Sequence, residues 1–154
     1  MKKIFPFVLV VLLAVYLIIG FLGKNTLNNF ISKKMKGLAG REITFSVEKQ
    51  IDAKYNYLQN KQFFDFTLLQ FGSTGCTVCK QMEPVLEEMR KLEHPKVNVV
   101  FINIMYPENQ SMMKYFGISA VPMQILLDNR GKEFFRHYGF ISSGDLLAKF
   151  IASD

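Results

Sequence analysis

Cysteine and histidine are scarce in this chain, with two of each in 154 residues. A closed structural zinc site takes about four ligands. Beyond Cys76 and Cys79 the sequence offers only His94, His137 and carboxylates, with no second C-x-x-C and no H-x3-H pair. No metal site and no cofactor are therefore expected. A c-type haem attachment needs a histidine directly after the second cysteine, and Lys80 stands there. Met82, Met89, Met112, Met113 and Met123 make no Met-x-x-Met array for copper and read as core or groove fillers.

Acid is absent from the first 41 residues. They hold seven basic side chains (Lys2, Lys3, Lys24, Lys33, Lys34, Lys36, Arg41), whereas residues 42–154 hold twelve basic and thirteen acidic ones. The formal charge of +6 thus belongs to the N-terminal segment. A nearly neutral remainder argues against nucleic-acid binding, and a basic stretch confined to one end fits a membrane flank.

Charge of either sign is absent from "IFPFVLVVLLAVYLIIGFLG", Ile4 to Gly23. As a helix this run is about 30 Å long, enough to cross the hydrocarbon core of a bilayer. Pro6 falls in the first turn, where a missing N–H costs little. A cleaved signal peptide is the alternative, but such peptides have apolar cores of about 7–15 residues and end in an A-x-A-like site, which "GFLGKN" does not provide. "LAG" at Leu38 to Gly40 is followed by Arg41, not by the cysteine a lipoprotein signal needs. The expected organisation is a short tail over 1–3, a transmembrane helix over 4–23, a basic linker over 24–45 and one domain over 46–154. Lysines on both sides of the run nearly balance, so charge alone does not set its orientation. "FISKKMKGL" reads as a solvated tether or as a basic helix lying on headgroups.

Beyond residue 45 the pattern is regular, with no internal repeat and no low-complexity tract. Ser46 is the expected N-cap of a helix with Val47, Ile51, Tyr55 and Leu58 on one face. "FFDFTLLQF" and "KVNVVFINI" read as strands. Between them "CTVCKQMEPVLEEMRKL" has helical spacing and a kink at Pro84. "QSMMKYF" is a short helix closed by Gly117, "VPMQILLD" and "KEFFRHYG" form a hairpin across "NRG", and "SGDLLAKFIAS" is a final amphipathic helix capped by Ser142 or Ser143. A further strand is possible near Glu42 to Phe45. The expected fold is α/β: a mixed sheet of four to five strands with helices on both faces, in which helix-linked strands run parallel.

The two cysteines stand at the start of a helix that follows a buried strand. Unpaired N–H groups and the helix dipole stabilise negative charge at Cys76 and lower a thiol's pKa from about 8.5 toward neutrality. Cys79, one turn on, faces the same side. Such a pair suits attack on a disulfide by the first sulfur and resolution by the second. A fixed structural disulfide is the plainer alternative, although so small a ring constrains the unfolded chain little.

Three stretches together resemble the thioredoxin family: "CTVCKQMEPV", with C-x-x-C-K and a following proline; "FGISAVPMQILL", ending in the family's cis-proline segment; and "GKEFFRHYGFISSGDLLAKF", its last hairpin, glycine and helix. The resemblance implies that Cys76 is the nucleophile and Cys79 the resolving thiol. It also implies a cis Val121–Pro122 bond, and a groove in which the Val121 backbone pairs with a substrate segment while Gly139 leaves room beside it. The chain departs from the family's usual "WCGPC", which is "GCTVC" here. The buried acid of many thioredoxins falls at Gln70, which hydrogen-bonds but accepts no proton. His94 reads as a surface residue, His137 as a cross-strand residue of the hairpin and Lys80 as a solvent-facing neighbour of the thiols.

The function expected from all of this is a membrane-tethered thiol–disulfide oxidoreductase that reduces or exchanges disulfides in protein substrates. Its partners would be protein disulfides or dithiols, a membrane or soluble redox protein, and the bilayer through residues 4–23. Its domain would face the periplasm or the cell exterior. Two other classes stay open: a thioredoxin-like module that binds peptides without turnover, and a soft-metal chaperone using the thiol pair for an ion such as Cu(I).

Overall fold

The structure, a computed structural model, describes residues 4–153, without the side chains of residues 4–8, 18, 19, 21, 22, 24 and 25. The expected tail over 1–3 lies outside the described residues. Four strands form one sheet: β1 (Phe66–Gly72), β2 (Val97–Asn103), β3 (Met123–Leu127) and β4 (Glu133–Tyr138), in the order β2-β1-β3-β4. β1 and β2 are parallel, while β3 runs antiparallel to both β1 and β4.

The direction of β3 corrects the expectation that helix-linked strands run parallel. After β2 the chain makes a 3-10 turn at Pro107–Asn109, and then the helix from Gln110 to Phe116. Seven helical residues rise only about 10 Å, less than half the length of a seven-residue strand at about 3.3 Å per residue. The chain therefore re-enters the sheet at the end where β1 finishes, with Met123 opposite Phe71, and runs back.

Side chains alternate between the two faces of the sheet. On one face Leu69, Phe71, Ile125 and Leu127 pack with Val47, Ile51, Tyr55 and Phe116. On the other, Phe66, Leu68 and Leu126 pack with Met82, Leu86, Met89, Leu146 and Phe150. The helices supplying these partners are α1 (Ile4–Lys36), α2 (Arg41–Tyr55), α3 (Tyr57–Asn60), α4 (Thr77–Gln81), α5 (Glu83–Arg90), α6 (Gln110–Phe116) and α7 (Ser143–Ile151). Ser142 caps α7 by accepting from the Asp145 N–H at 3.1 Å, and Pro84 falls in the first turn of α5, so the expected kink is a break between α4 and α5.

No strand forms at Glu42 to Phe45. α2 starts at Arg41, and the Thr44 N–H already donates to the Gly40 carbonyl at 3.0 Å. Ile43 continues the stripe of Val47, Ile51 and Tyr55 back by one turn, so the helical period claims these residues and leaves Ser46 inside the helix instead of capping it. Leu58 is exposed because the helix ends at Tyr55. The non-helical Asn56 rephases the chain, and Tyr57 is buried instead. The Tyr57 hydroxyl hydrogen-bonds the Thr67 hydroxyl at 2.5 Å and accepts from Asn98 at 2.9 Å.

Within the linker expected over 24–45, residues 24–36 are helical and continuous with the apolar run. The last turns of α1 dock on the domain. Ser32 is fully buried and donates to the Phe116 carbonyl at 3.3 Å. Asn29 donates to the Arg136 carbonyl at 3.4 Å, and Lys36 pairs with Glu133 at 2.8 Å. Gly117, at φ 64°, closes α6 against this helix. A Cβ there would lie 2.1 Å from the Ser32 carbonyl oxygen and 2.5 Å from the Lys36 nitrogen. Toward the other end of α1, Leu9 to Leu13 and Val15 to Leu17 are exposed. Among the described residues no helix is long and apolar enough to cross a membrane. The expectation of a span over 4–23 draws partly on side chains outside them.

Candidate active site

β1 ends at Gly72, and residues 73–76 turn the chain into α4. Cys76 is the N-cap, with extended backbone (φ −86°, ψ 112°), and its Sγ accepts the Cys79 N–H at 3.1 Å. One of the orphan donors of a helix start is thus aimed at the first sulfur. α4 has only five residues and is separated from α5. The electrostatic influence on Cys76 is therefore that of its own first turn, which is where helix-end effects act. Cys76 and Cys79 are joined by a disulfide with Cα atoms 5.1 Å apart, inside the range such bridges require. Cys79 is buried and Cys76 half-buried, so the two sulfurs differ in access.

Pro122 arrives at the same end of the sheet. Met123 pairs with Phe71, which places Pro122 beside the point where β1 releases the chain toward Cys76. The Val121–Pro122 bond is cis, as the resemblance implied; a second cis bond, His94–Pro95, was not expected. Gly139 has φ 94°, which a side chain rarely tolerates, and no atom lies within 4 Å of where its Cβ would stand. Its N–H donates to the Pro122 carbonyl at 2.9 Å. Cys76, Cys79, Val121, Pro122 and Gly139, the expected site residues, thus come from three chain segments that meet at one end of the sheet.

Below this end Gln70, legible in the sequence, is half of a polar pair. Gln70 and Gln124 are neighbours on β1 and β3, both fully buried. Gln124 Nε2 donates to Gln70 Oε1 at 2.9 Å and to the Gly139 carbonyl at 3.1 Å. It links the floor of the site to the glycine turn. Gln70 Nε2 and Gln124 Oε1 keep no hydrogen-bond partner. The signal for Gln124 was present, as a lone polar residue inside "MQILL" opposite the glutamine inside "LLQF". Two further residues were missed, Gly72 and Phe101. A Cβ on Gly72 would meet the Phe101 ring at 2.9 Å and Cys79 Sγ at 3.2 Å.

His137 is half-buried on β4, and its Nε2 hydrogen-bonds the Phe140 carbonyl at 3.0 Å. Burial pushes its pKa below the ordinary histidine value, against the opposing pull of that hydrogen bond. Lys80 and His94 are exposed. Among the described residues no three His, Cys, Asp or Glu side chains converge as a metal site.

Known proteins place this architecture. The model of a family described as "Thioredoxin-like domain" matches residues 50–152. The chain is 35% identical over 71 residues to a thioredoxin of Alicyclobacillus acidocaldarius, covering 46% of this chain and 66% of that protein. It is 34% identical over 62 residues to a thioredoxin of Haemophilus influenzae, covering 40% and 56%. A chloroplastic thioredoxin-like protein of Arabidopsis thaliana is 27% identical over 67 residues, covering 44% and 26%. The matches thus span from about a quarter to just under two thirds of these relatives' lengths. Among solved structures, the pneumococcal exposed lipoprotein thioredoxin of Streptococcus pneumoniae superposes with a TM-score of 0.53 at 16% identity, over 60% of this chain and 88% of that one. The thioredoxin NaTrxh of Nicotiana alata gives 0.51 at 24%, over 70% and 83%. These two likenesses are of fold. With the family's model matched across most of the sheet and helices, and the cysteine pair, cis-proline and glycine turn gathered at one end of that sheet, the chain belongs to the thioredoxin-like domain family.

Proposed function

We propose that this protein is a thiol–disulfide oxidoreductase that reduces or exchanges disulfides in protein substrates. The Cys76 thiolate attacks one sulfur of a substrate disulfide. A bond forms between Cys76 and that sulfur, and the other substrate sulfur leaves as a thiolate and takes a proton. The Cys79 thiolate then attacks Cys76 Sγ, forming the Cys76–Cys79 bridge and releasing the second substrate sulfur. Two electrons pass from the cysteine pair to the substrate, and a reduced dithiol partner returns them. The observation that carries this reading is the Cys79 N–H aimed at Cys76 Sγ at 3.1 Å, since a donor there stabilises the anion that must form at each turnover. Val121, next to the cis bond, and Gly139 would flank an extended substrate segment through main-chain contacts, which suit many sequences.

Insulin reduction with the wild type, Cys76→Ser and Cys79→Ser tests the reading. Turnover by the wild type is expected, with none by Cys76→Ser and an accumulating mixed disulfide on Cys79→Ser. Equal peptide binding by all three without any disulfide exchange would overturn it in favour of a binding module.

The same proposal places residues 4–23 in a membrane and the domain on its periplasmic or extracellular side. It is supported by the twenty uncharged residues of that run and by the exposure of its apolar side chains from Leu9 to Leu17. Such a patch on a helix calls for an apolar cover. Alkaline carbonate extraction of membranes containing the full-length chain is expected to leave it in the pellet. Release to the supernatant would remove the span from the proposal.

A further inference from the structure

The second sulfur has a side entrance. A cavity of about 330 Å³ opens beside α4 and α5, and Cys79 and Phe101 are both in its lining, with Lys80, Glu83, Glu87 and Arg90 at its rim. This is a different approach from the one past Val121 and Gly139. Phe101 lies on the edge strand β2, in register with Gln70, and is 43% exposed. Its ring leans over Gly72: a Cβ on that residue would stand 2.9 Å from Phe101 Cε2 and 3.2 Å from Cys79 Sγ. The lack of a side chain at Gly72 is what lets ring and sulfur close over the strand end together.

We propose that Phe101 is a positioning residue that narrows this side entrance and so favours Cys76 as the sulfur at which exchange begins. The consequence is regiochemical. When an incoming thiolate opens the Cys76–Cys79 bridge at Cys76 Sγ, the electron pair leaves on Cys79. The mixed disulfide then sits on the half-buried sulfur at the groove, where a second thiol of the same donor reaches it. Attack at Cys79 Sγ would expel Cys76 and strand the mixed disulfide on the buried sulfur. Phe101 favours the first outcome by narrowing the side on which a cavity leads to the second sulfur. This deepens the oxidoreductase reading above. Its test uses no protein substrate, so its failure would leave that reading standing.

The measurement is iodoacetamide alkylation of the full-length reduced chain. In a Cys76→Ser background Cys79 is the only thiol, and Phe101→Ala is expected to raise its labelling rate about tenfold or more, because access governs thiol reactivity alongside thiolate fraction. Phe101→Leu, which keeps an apolar cover, should restore most of the protection. In a Cys79→Ser background, Phe101→Ala should leave Cys76 labelling unchanged. Equal Cys79 rates for Phe, Leu and Ala would overturn the proposal. So would a parallel rise at Cys76, which would indicate general loosening of the domain.

Discussion

The cysteine turn and the joint between α1 and the domain are both polar, both partly buried and built in opposite ways. At the turn, the partners are three residues apart: Cys76 bonds Cys79 covalently and accepts its N–H. At the joint, Ser32, Arg136, Glu133 and Lys36 form a network whose partners on α1 and β4 stand about a hundred residues apart in the chain. Arg136 donates to the Ser32 hydroxyl, to the Phe116 carbonyl at 3.1 Å and to Glu133, which also takes Lys36. A local site is assembled by the first turn of a helix and can carry chemistry with little help. A long-range joint exists only once the domain has folded, and it carries stability and orientation instead. The two should therefore fail independently.

The largest effect is expected at the turn. Cys76→Ser should reduce insulin reduction to background, yet hardly move the urea midpoint, because the lost ring is too small to constrain the unfolded chain much. A large fall in stability together with activity would break the contrast. Next comes Arg136→Ala, which takes one of two cations from the half-buried Glu133 carboxylate and the donor from the Phe116 carbonyl. Removing one partner of a buried pair costs about 3 kcal/mol, to be read from urea unfolding, with residues 24–40 becoming sensitive to proteases. The rate of insulin reduction should not change.

Gly117→Ala attacks the same joint through the backbone. A left-handed φ and a Cβ placed against the Ser32 carbonyl should together cost about 2 kcal/mol, and the same proteolytic sensitivity should appear. Acid provides a smaller, graded version. Burial disfavours ionised Glu133, but hydrogen bonds from Arg136 and Lys36 and their charges outweigh it and hold its carboxyl below the ordinary value of 4.5. The stabilisation is therefore complete above that value and is lost as pH falls through the depressed one. Thermal midpoints from pH 7 downward should fall in that acidic range, and Glu133→Gln should flatten this dependence. Smallest of all is Gly75→Ala beside the cysteines. No atom lies within 4 Å of a Cβ there, so stability should stay within about 0.5 kcal/mol. A larger loss would show that the turn is less independent than its geometry implies.

The elements that could be read in advance share one property: their pattern repeats within a few residues. β1 alternates faces and ends at Gly72; α6 stops at Gly117; α7 starts at Ser142. The readings that failed were those in which distant partners decide. Glu42 to Phe45 looked like a strand until Ile43 found the core beside Val47. Leu58 fitted a helical face that the chain had already left at Asn56. In the linker over 24–45 the docking of its helical part was not legible, because nothing local says that Ser32 and Lys36 meet Arg136 and Glu133. Phe101 looked like one more strand aromatic, since its partner is the empty side of Gly72, far off in the chain.

By itself the sequence determined the placement of two thiols at a helix start, the apolar run before the domain and the order of strands and helices. Each of these follows from spacing, charge and backbone freedom over a few residues. Tertiary structure alone decided that β3 turns back against β1, that Gln70 meets Gln124 beneath the site, that α1 is locked to β4 and that the Phe101 ring lies beside Gly72 at the second sulfur. The physical reason is that contact energies depend on distance in space. Chain neighbours are close in any fold, whereas residues a hundred positions apart become neighbours only in this one.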